Sequence, residues 1–133
     1  MQRDLKQFSF TDLTVPASPN WFLACPPQSG LAACKMQAPI YPMATAELRA
    51  RFFDVASSEA RVALVADQSE HNRYRFIQKS RLFKFVDEIT VEFVELTAET
   101  SSLYLLSRSR VGWWDMGVNA RRVRRWLRKL GRL

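Results

Sequence analysis

Apolar and polar residues alternate through four segments between residues 61 and 110, and this period of two restricts the fold more than any other feature of the chain. The segments are 61–66, 73–80, 85–96 and 103–110. In the third segment Ile89, Val91 and Phe93 share one face, and polar residues occupy the other. Because short turns join consecutive segments, the sequence predicts a four-stranded antiparallel meander with one solvated face.

Apolar residues recur with a helical period on both sides of these strands. The first predicted helix has Thr45 as its N-cap, and its apolar stripe consists of Leu48, Phe52, Val55 and Ala56. The second covers about 117–130, and its stripe consists of Val123, Trp126, Leu127 and Leu130. Two helices flanking an antiparallel sheet predict a two-layer α+β fold, which we expect to form one domain over residues 44–133.

Residues 1–43 have no sustained period and contain all six prolines. Proline fixes φ and removes a backbone donor, so the sequence predicts an irregular, Pro-rich arm in place of a helix. The arm is rich in large apolar side chains, namely Phe8, Phe10, Trp21, Phe22, Leu23, Ile40 and Tyr41. We therefore expect it to pack on the body of the protein or on a partner.

The length and composition are those of a single globular domain. The chain has 133 residues, of which 47% are hydrophobic and 25% charged. No segment approaches the roughly 18 uncharged apolar residues that cross a bilayer, and the start of the chain has no apolar run typical of a secretory signal. The sequence therefore predicts a cytoplasmic protein, with association to a membrane surface as an alternative.

Positive charge is concentrated at the C-terminus. Nine basic residues and one acid, Asp115, occupy residues 108–132, whereas the formal net charge of the whole chain is +7. The predicted basic surface of the last helix comprises Arg121, Arg122, Arg124, Arg125, Arg128 and Lys129. Such a surface favours an anionic small molecule, an acidic protein partner or an anionic membrane surface.

Nucleic acid ranks lower, because the chain has neither a helix-turn-helix pattern nor the aromatic strand pattern of an RNA-binding sheet. The oligomeric state cannot be predicted from these features.

The two cysteines, Cys25 and Cys34, flank a short segment with Pro26, Pro27 and Gly30. A disulfide could close this loop, but in a cytoplasmic protein two buried free thiols are the prediction. A zinc site is not expected, since the chain has only one histidine, His71, and no second cysteine pair.

Two motifs suggest a relationship to a known family. The first is Ser80-Arg-Leu-Phe-Lys-Phe-Val-Asp-Glu88, and the second comprises Ser109, Arg110, Val111, Gly112, Asp115, Gly117, Asn119 and Arg121. Together with "SPNW" at 18–21, they make the chain resemble domain-of-unknown-function family 1499, small proteins of bacteria and plastids. The resemblance extends from about Pro19 to Arg124 and implies no established activity. Glu88 replaces a usual aspartate, and Trp113-Trp114 replace a smaller pair.

Charged groups of both motifs should meet where the sheet ends and the last helix begins, because the start of one strand in a meander lies beside the end of the next. We expect Asp115 to cap that helix. The candidate site residues are Arg81, Asp87, Arg108, Arg110, Asp115 and Asn119. They could form an ion-pair network that fixes the helix, or a pocket for an anionic group with Trp113 or Trp114 as its apolar wall.

The sequence offers little support for catalysis. Ser80, Ser107 and Ser109 have no neighbouring histidine, and His71 falls in a polar turn. Asp87 and Glu88 should point to opposite faces of a strand, which disfavours a carboxylate pair. The chain also lacks a glycine-rich phosphate loop. We predict a non-enzymatic binding or accessory domain without metal or cofactor, and a small hydrolase-like enzyme is the weakest alternative.

Overall fold

The computed structural model describes residues 18–82, 85–112 and 115–132. These described residues contain six strands and two α-helices: β1 (Trp21–Cys25), β2 (Met36–Gln37), α1 (Thr45–Ser58), β3 (Val62–Gln68), β4 (Arg73–Lys79), β5 (Val86–Thr97), β6 (Thr100–Ser109) and α2 (Val118–Arg132). A 3₁₀ turn, Ser69–His71, lies between β3 and β4. The predicted α+β class is confirmed.

One mixed sheet contains all six strands in the order β2-β1-β6-β5-β4-β3. Strands β3 to β6 form an antiparallel meander, β1 pairs antiparallel with β6, and β2 pairs parallel with β1. The sheet therefore has two more strands than the four that the sequence predicts. Residues 21–37 of the predicted irregular arm supply the additional strands, while residues 1–17 lie outside the described residues.

Strand β1 was not predicted, because all five of its residues are buried and its sequence does not alternate between apolar and polar residues. Phe22 and Ala24 face the core beneath the helices, whereas Trp21, Leu23 and Cys25 face a smaller cluster on the opposite side. A strand that is covered on both faces shows a continuous apolar run in place of an alternating pattern.

Both helices pack on one face of the sheet, and their predicted stripes are confirmed. All eight predicted stripe residues are buried. Phe52 of α1 lies at the centre of this core, with its ring centroid 5.5 Å from that of Trp126 and 5.6 Å from that of Phe93. Such edge-to-face aromatic contacts add to the stabilisation from apolar burial. Thr45 is the first helical residue and not the cap, since the N-cap is Ala44 and makes no side-chain hydrogen bond.

The second face of the sheet is partly covered, in contrast to the solvated face that the alternation predicts. Leu23 and Leu106 are 0% and 4% exposed there. The segment between β1 and β2 contributes Leu31, Ala33 and Cys34 to this cluster. Cys34 forms a disulfide with Cys25, with their Cα atoms 5.8 Å apart, so the prediction of free thiols was wrong. The bridge ties the covering segment to the sheet.

Candidate functional site

Asp87 and Glu88 are neighbours in β5, and their side chains enter polar clusters on opposite faces of the sheet. Asp87 is directed to the face that carries α2, where it pairs with Arg122. Glu88 is directed to the other face, where it meets arginines of β4 and β6. The predicted separation of the two carboxylates is confirmed, and it follows from the alternation of side chains along a strand.

The first cluster, which we call the α2 anchor, consists of Gln78, Asp87, Ser107, Asn119 and Arg122. Arg122 is 7% exposed, and its Nη2 lies 2.9 Å from Asp87 Oδ2. It also donates from Nε to Gln78 Oε1 at 2.6 Å and from Nη1 to Ser107 Oγ at 2.9 Å. Burial lowers the pKa of Arg122, and the charge of Asp87 partly offsets this shift.

Asn119 connects three parts of the chain through one fully buried amide. Its Oδ1 accepts a hydrogen bond from Ser107 Oγ at 2.7 Å, and its Nδ2 lies 3.0 Å from both the Asn20 carbonyl and Ser109 Oγ. The side chain of Asn20 in turn donates to the Gly112 carbonyl at 2.7 Å. These contacts join the start of β1 and the end of β6 to the first turn of α2.

Asp115 caps α2, as predicted. Its Oδ1 accepts a hydrogen bond from Gly117 N at 2.9 Å, and its Oδ2 accepts from Asn119 N at 3.3 Å and from Asn119 Nδ2 at 2.6 Å. Burial alone would raise the pKa of Asp115, but these hydrogen bonds outweigh it and lower the pKa below its usual value. Gly117 has φ of +78°, a conformation that glycine adopts without strain, so the cap depends on this residue.

The second cluster, which we call the arginine cluster, consists of Arg75, Glu88, Arg108 and Arg110 on the opposite face. Glu88 Oε2 lies 2.7 Å from Arg75 Nη1. The other two guanidinium groups are farther away, at 3.9 Å for Arg108 Nε and 3.7 Å for Arg110 Nη2. Direct pairing of Glu88 with Arg108 across β5 and β6 brings these groups together.

The six candidate residues therefore do not form one cluster. Asp87, Asp115 and Asn119 meet on the face that carries α2, whereas Arg108 and Arg110 lie on the other face. Arg81 is exposed between β4 and β5 and makes no ion pair within the described ranges. The prediction of a single cluster was wrong because strand pairing brings the backbones of these residues close together, whereas the alternation of side chains places them on opposite faces of the sheet. Trp113 and Trp114 lie outside the described residues.

A cleft of about 770 Å³ opens beside the α2 anchor, between the adjoining ends of β4, β5 and β6 and the start of α2. Asp87, Asp115 and Arg122 form part of its lining. Four apolar lining residues are exposed, namely Phe85, Val111, Met116 and Val118. The cleft thus combines a fixed polar wall with apolar side chains that remain in contact with solvent.

The family model described as Protein of unknown function (DUF1499) matches residues 13–130. The chain belongs to this family. The resemblance predicted from the two motifs is thereby confirmed. Searches of curated proteins and of solved structures find no match.

Both motifs of this DUF1499 chain line the cleft. The first contributes Ser80, Phe85, Val86 and Asp87, and the second contributes Ser109, Val111, Gly112 and Asp115. The sequence predicts a pocket at this junction but assigns Arg81, Arg108 and Arg110 to it, and none of these lines the cleft. The apolar lining residues were not predicted, because they have no periodic pattern. Arg75 was not predicted either, because its place beside Glu88 depends on the pairing of β4 with β5.

Only part of the predicted basic surface of α2 is exposed and without a carboxylate partner among the described residues of this DUF1499 chain. Arg122 is buried in the α2 anchor, so its assignment to the surface was wrong. Arg125 Nη2 lies 2.6 Å from Glu59 Oε1, and Lys129 also pairs with Glu59. Arg121, Arg124 and Arg128 are exposed. Neither α1 nor α2, the two α-helices in the described part of the chain, has the length and hydropathy of a membrane-spanning segment.

Glu59, at the end of α1, was not predicted as a structural residue. Its side chain is 8% exposed. Burial by itself raises the pKa of Glu59, but hydrogen bonds from Arg125 and Lys129 outweigh it and lower the pKa from 4.5 to about 2. A single carboxylate therefore holds two cations of α2 against α1.

The serines near the cleft have structural hydrogen bonds. Ser107 and Ser109 contact Asn119, and Ser80 Oγ accepts a hydrogen bond from Phe85 N at 2.9 Å. His71 is exposed in the 3₁₀ turn. Across residues 18–82, 85–112 and 115–132 no serine is hydrogen-bonded to it, and no group of three or more potential metal ligands occurs.

Proposed function

We propose that this protein is a non-enzymatic binding domain whose cleft holds an amphipathic anion, a molecule with an apolar body and one anionic group. The observation that carries the proposal is the gathering of exposed apolar side chains at one concave site. Phe85 is 55% exposed, Val111 59% and Met116 68%, and all three line the cleft. Large apolar side chains that remain exposed around a concave site are typical of ligand-binding surfaces.

The charges of the cleft favour an anionic group on the ligand. Its described lining contains four cations and two carboxylates, namely Arg61, Lys79, Arg122, Arg125, Asp87 and Asp115. Asp87 is neutralised by Arg122, and Arg125 is paired with Glu59. Within the described part of the chain, Arg61 and Lys79 have no ion-pair partner. Both are exposed at the cleft, where they could bind a carboxylate or a similar group.

The α2 anchor has a supporting role in this proposal. Its hydrogen bonds hold the start of α2 on the sheet, so one wall of the cleft is fixed before a ligand arrives. A preformed wall reduces the conformational entropy that binding would otherwise cost. We assign Asp87, Asn119 and Arg122 to this structural role and Asp115 to the cap of the helix.

Fluorescence of the amphipathic anion 8-anilinonaphthalene-1-sulfonate tests the proposal, followed by its displacement with ligands that share one alkyl chain. We expect decanoate to displace the dye at lower concentration than decanol, and decyltrimethylammonium to be the weakest. Lys79→Gln should weaken decanoate and leave decanol unchanged, because only the carboxylate uses the cation.

Val111→Glu should weaken dye binding through repulsion and loss of apolar contact. Ile40→Glu is the matched control, since Ile40 is 55% exposed but does not line the cleft. Equal losses in the two variants, or the same affinity for all three head groups, would contradict the proposal.

A second proposal is association with an anionic membrane surface through α2. Arg121, Arg124, Arg128 and Arg132 follow one another at intervals of three or four residues and are all exposed. Within the described ranges none of them has a carboxylate partner. Cations at this helical spacing favour an anionic surface.

Co-sedimentation with liposomes that contain phosphatidylserine should exceed that with neutral phosphatidylcholine liposomes, and Arg124→Glu/Arg128→Glu should remove the difference. Equal sedimentation would exclude this role.

We further propose that the protein resides in an oxidising compartment and not in the cytoplasm, because the Cys25–Cys34 disulfide is of a kind that reducing cytosol disfavours. Thiol alkylation of protein quenched in acid directly from its native cells would test this. If both cysteines are alkylated without prior reduction, the disulfide is absent in cells and the predicted cytoplasmic location stands.

A further inference from the structure

The arginine cluster places three positive groups around one carboxylate, on the face of the sheet opposite the cleft. Only Arg75 is within hydrogen-bond distance of Glu88, at 2.7 Å. The contacts of Arg108 and Arg110 with Glu88, at 3.9 and 3.7 Å, are long-range ion pairs. The cluster therefore contains one negative and three positive charges. Most of the guanidinium N–H donors have no acceptor among the described residues.

Two of these donors are removed from solvent. Nε of Arg75 and Nε of Arg108 are buried and have no hydrogen-bond partner within residues 18–82, 85–112 and 115–132. Buried polar groups in folded proteins nearly always have a partner, so two such donors in one cluster call for a physical explanation. The outer parts of the side chains remain accessible, since Arg108 is 43% and Arg110 48% exposed. A ligand could thus reach the cluster from solvent.

We propose that Arg75, Arg108 and Arg110 form a site for a tetrahedral dianion of the phosphate class. A dianion would neutralise the excess of two positive charges, and its oxygens match the planar forks of guanidinium groups. Glu88 holds Arg75 in place and limits affinity through its own negative charge. This site is independent of the cleft, so neither proposal depends on the other.

Isothermal titration calorimetry with inorganic phosphate at pH 8, where the dianion predominates, tests the site. We expect Arg110→Ala to weaken phosphate binding about tenfold, the effect of losing one charge-assisted hydrogen bond. Arg124→Ala is the matched control, because it removes an exposed arginine from α2 and should leave the affinity unchanged. The monoanion nitrate should bind more weakly than phosphate.

Glu88→Gln provides a test with the opposite sign. Removing the competing carboxylate should strengthen phosphate binding, whereas a merely structural ion-pair cluster would gain no affinity. Phenyl phosphate distinguishes the source of the group: tighter binding than inorganic phosphate indicates a phosphate monoester, and equal binding indicates free phosphate. No heat of binding at millimolar phosphate, or equal losses in Arg110→Ala and Arg124→Ala, would overturn the proposal.

Discussion

The α2 anchor and the arginine cluster begin at adjacent residues of β5, yet they differ in how far their polar groups are satisfied. In the α2 anchor, Arg122 contacts Asp87, Gln78, Ser107 and Asn119. In the arginine cluster, three half-exposed or partly buried guanidinium groups share Glu88.

In our proposals, this difference separates the structural role of the α2 anchor from the binding role of the arginine cluster. A buried network whose hydrogen bonds are all formed has no donors left for a ligand. Removing one of its charged residues destabilises the fold, because the partner charge is left buried and unpaired. A partly exposed cluster with long ion pairs contributes little to stability, and its remaining donors are the groups that we propose bind an anion. Charged residues that a motif brings close in sequence can therefore serve opposite purposes on the two faces of one sheet.

Arg122→Ala tests the α2 anchor most directly and should have the largest effect. It removes the buried guanidinium and leaves the carboxylate of Asp87, which is 14% exposed, without its partner. We therefore expect a loss of about 3 kcal/mol in the free energy of unfolding, the lower end of the range for a fully buried pair. Urea denaturation measures this loss. Arg128→Ala, at an exposed position of α2, is the control and should stay within about 0.5 kcal/mol of the wild type. A similar small change in Arg122→Ala would show that the network contributes nothing to holding α2.

Glu59→Gln asks whether a second satisfied carboxylate contributes to the attachment of α2. The pKa of Glu59 is lowered from 4.5 to about 2, so its stabilising contribution is complete above pH 4.5 and disappears as the pH falls toward 2. We expect the variant to be less stable by about 1–3 kcal/mol at pH 7, allowing for solvent screening of its partly exposed partners.

The difference in unfolding free energy between wild type and Glu59→Gln should shrink between pH 4.5 and 2. Urea denaturation at pH 7, 4 and 3 measures it. A difference that is constant over this range would contradict the lowered pKa.

Asp115→Ala tests the cap that connects the α2 anchor to the cleft. Loss of a side-chain N-cap costs about 0.5–2 kcal/mol, so the melting temperature should fall by a few degrees. Because the pKa of Asp115 lies below its usual value, the stabilisation should be present above that usual value and decrease on acidification below it. Differential scanning calorimetry measures the change, with Asp54→Ala as the exposed control. Identical melting temperatures for the two variants would remove the capping role.

Arg110→Ala should have the smallest effect on stability, within about 0.5 kcal/mol, because its ion pair with Glu88 is long and half-exposed. The same protein sample should show the weakened phosphate binding described above. Thermal unfolding without phosphate provides the measurement. A loss as large as that of Arg122→Ala would mean that the two clusters do not differ in kind.

The helices and the meander could be predicted because their periodicity records which face is buried. The stripe of Val123, Trp126, Leu127 and Leu130 is one example, and the alternation of Ile89, Val91 and Phe93 is another. Arg122 shows where this reasoning fails. The sequence analysis assigned it to the exposed basic surface because of its charge, although it lies four residues before Trp126 and thus on the side of α2 that is buried. Only a partner such as Asp87 makes burial of an arginine favourable.

The candidate site could be predicted only in part. The motifs identified Asp87, Asp115 and Asn119, which meet beside the cleft. Arg108 and Arg110 were expected there, and they lie on the opposite face. The error arose from treating strand pairing as contact, although residues that are close along paired strands meet only when they share a face.

The period of most elements, the apolar faces of both helices and the family could be predicted from sequence, because they depend on the order of residues along the chain. Three features are known only from the folded chain: β1 enters the sheet beside β6, Cys25 and Cys34 are bridged, and each arginine contacts a particular acid. These outcomes depend on register and on burial from both sides, and such contacts between distant residues leave no local pattern.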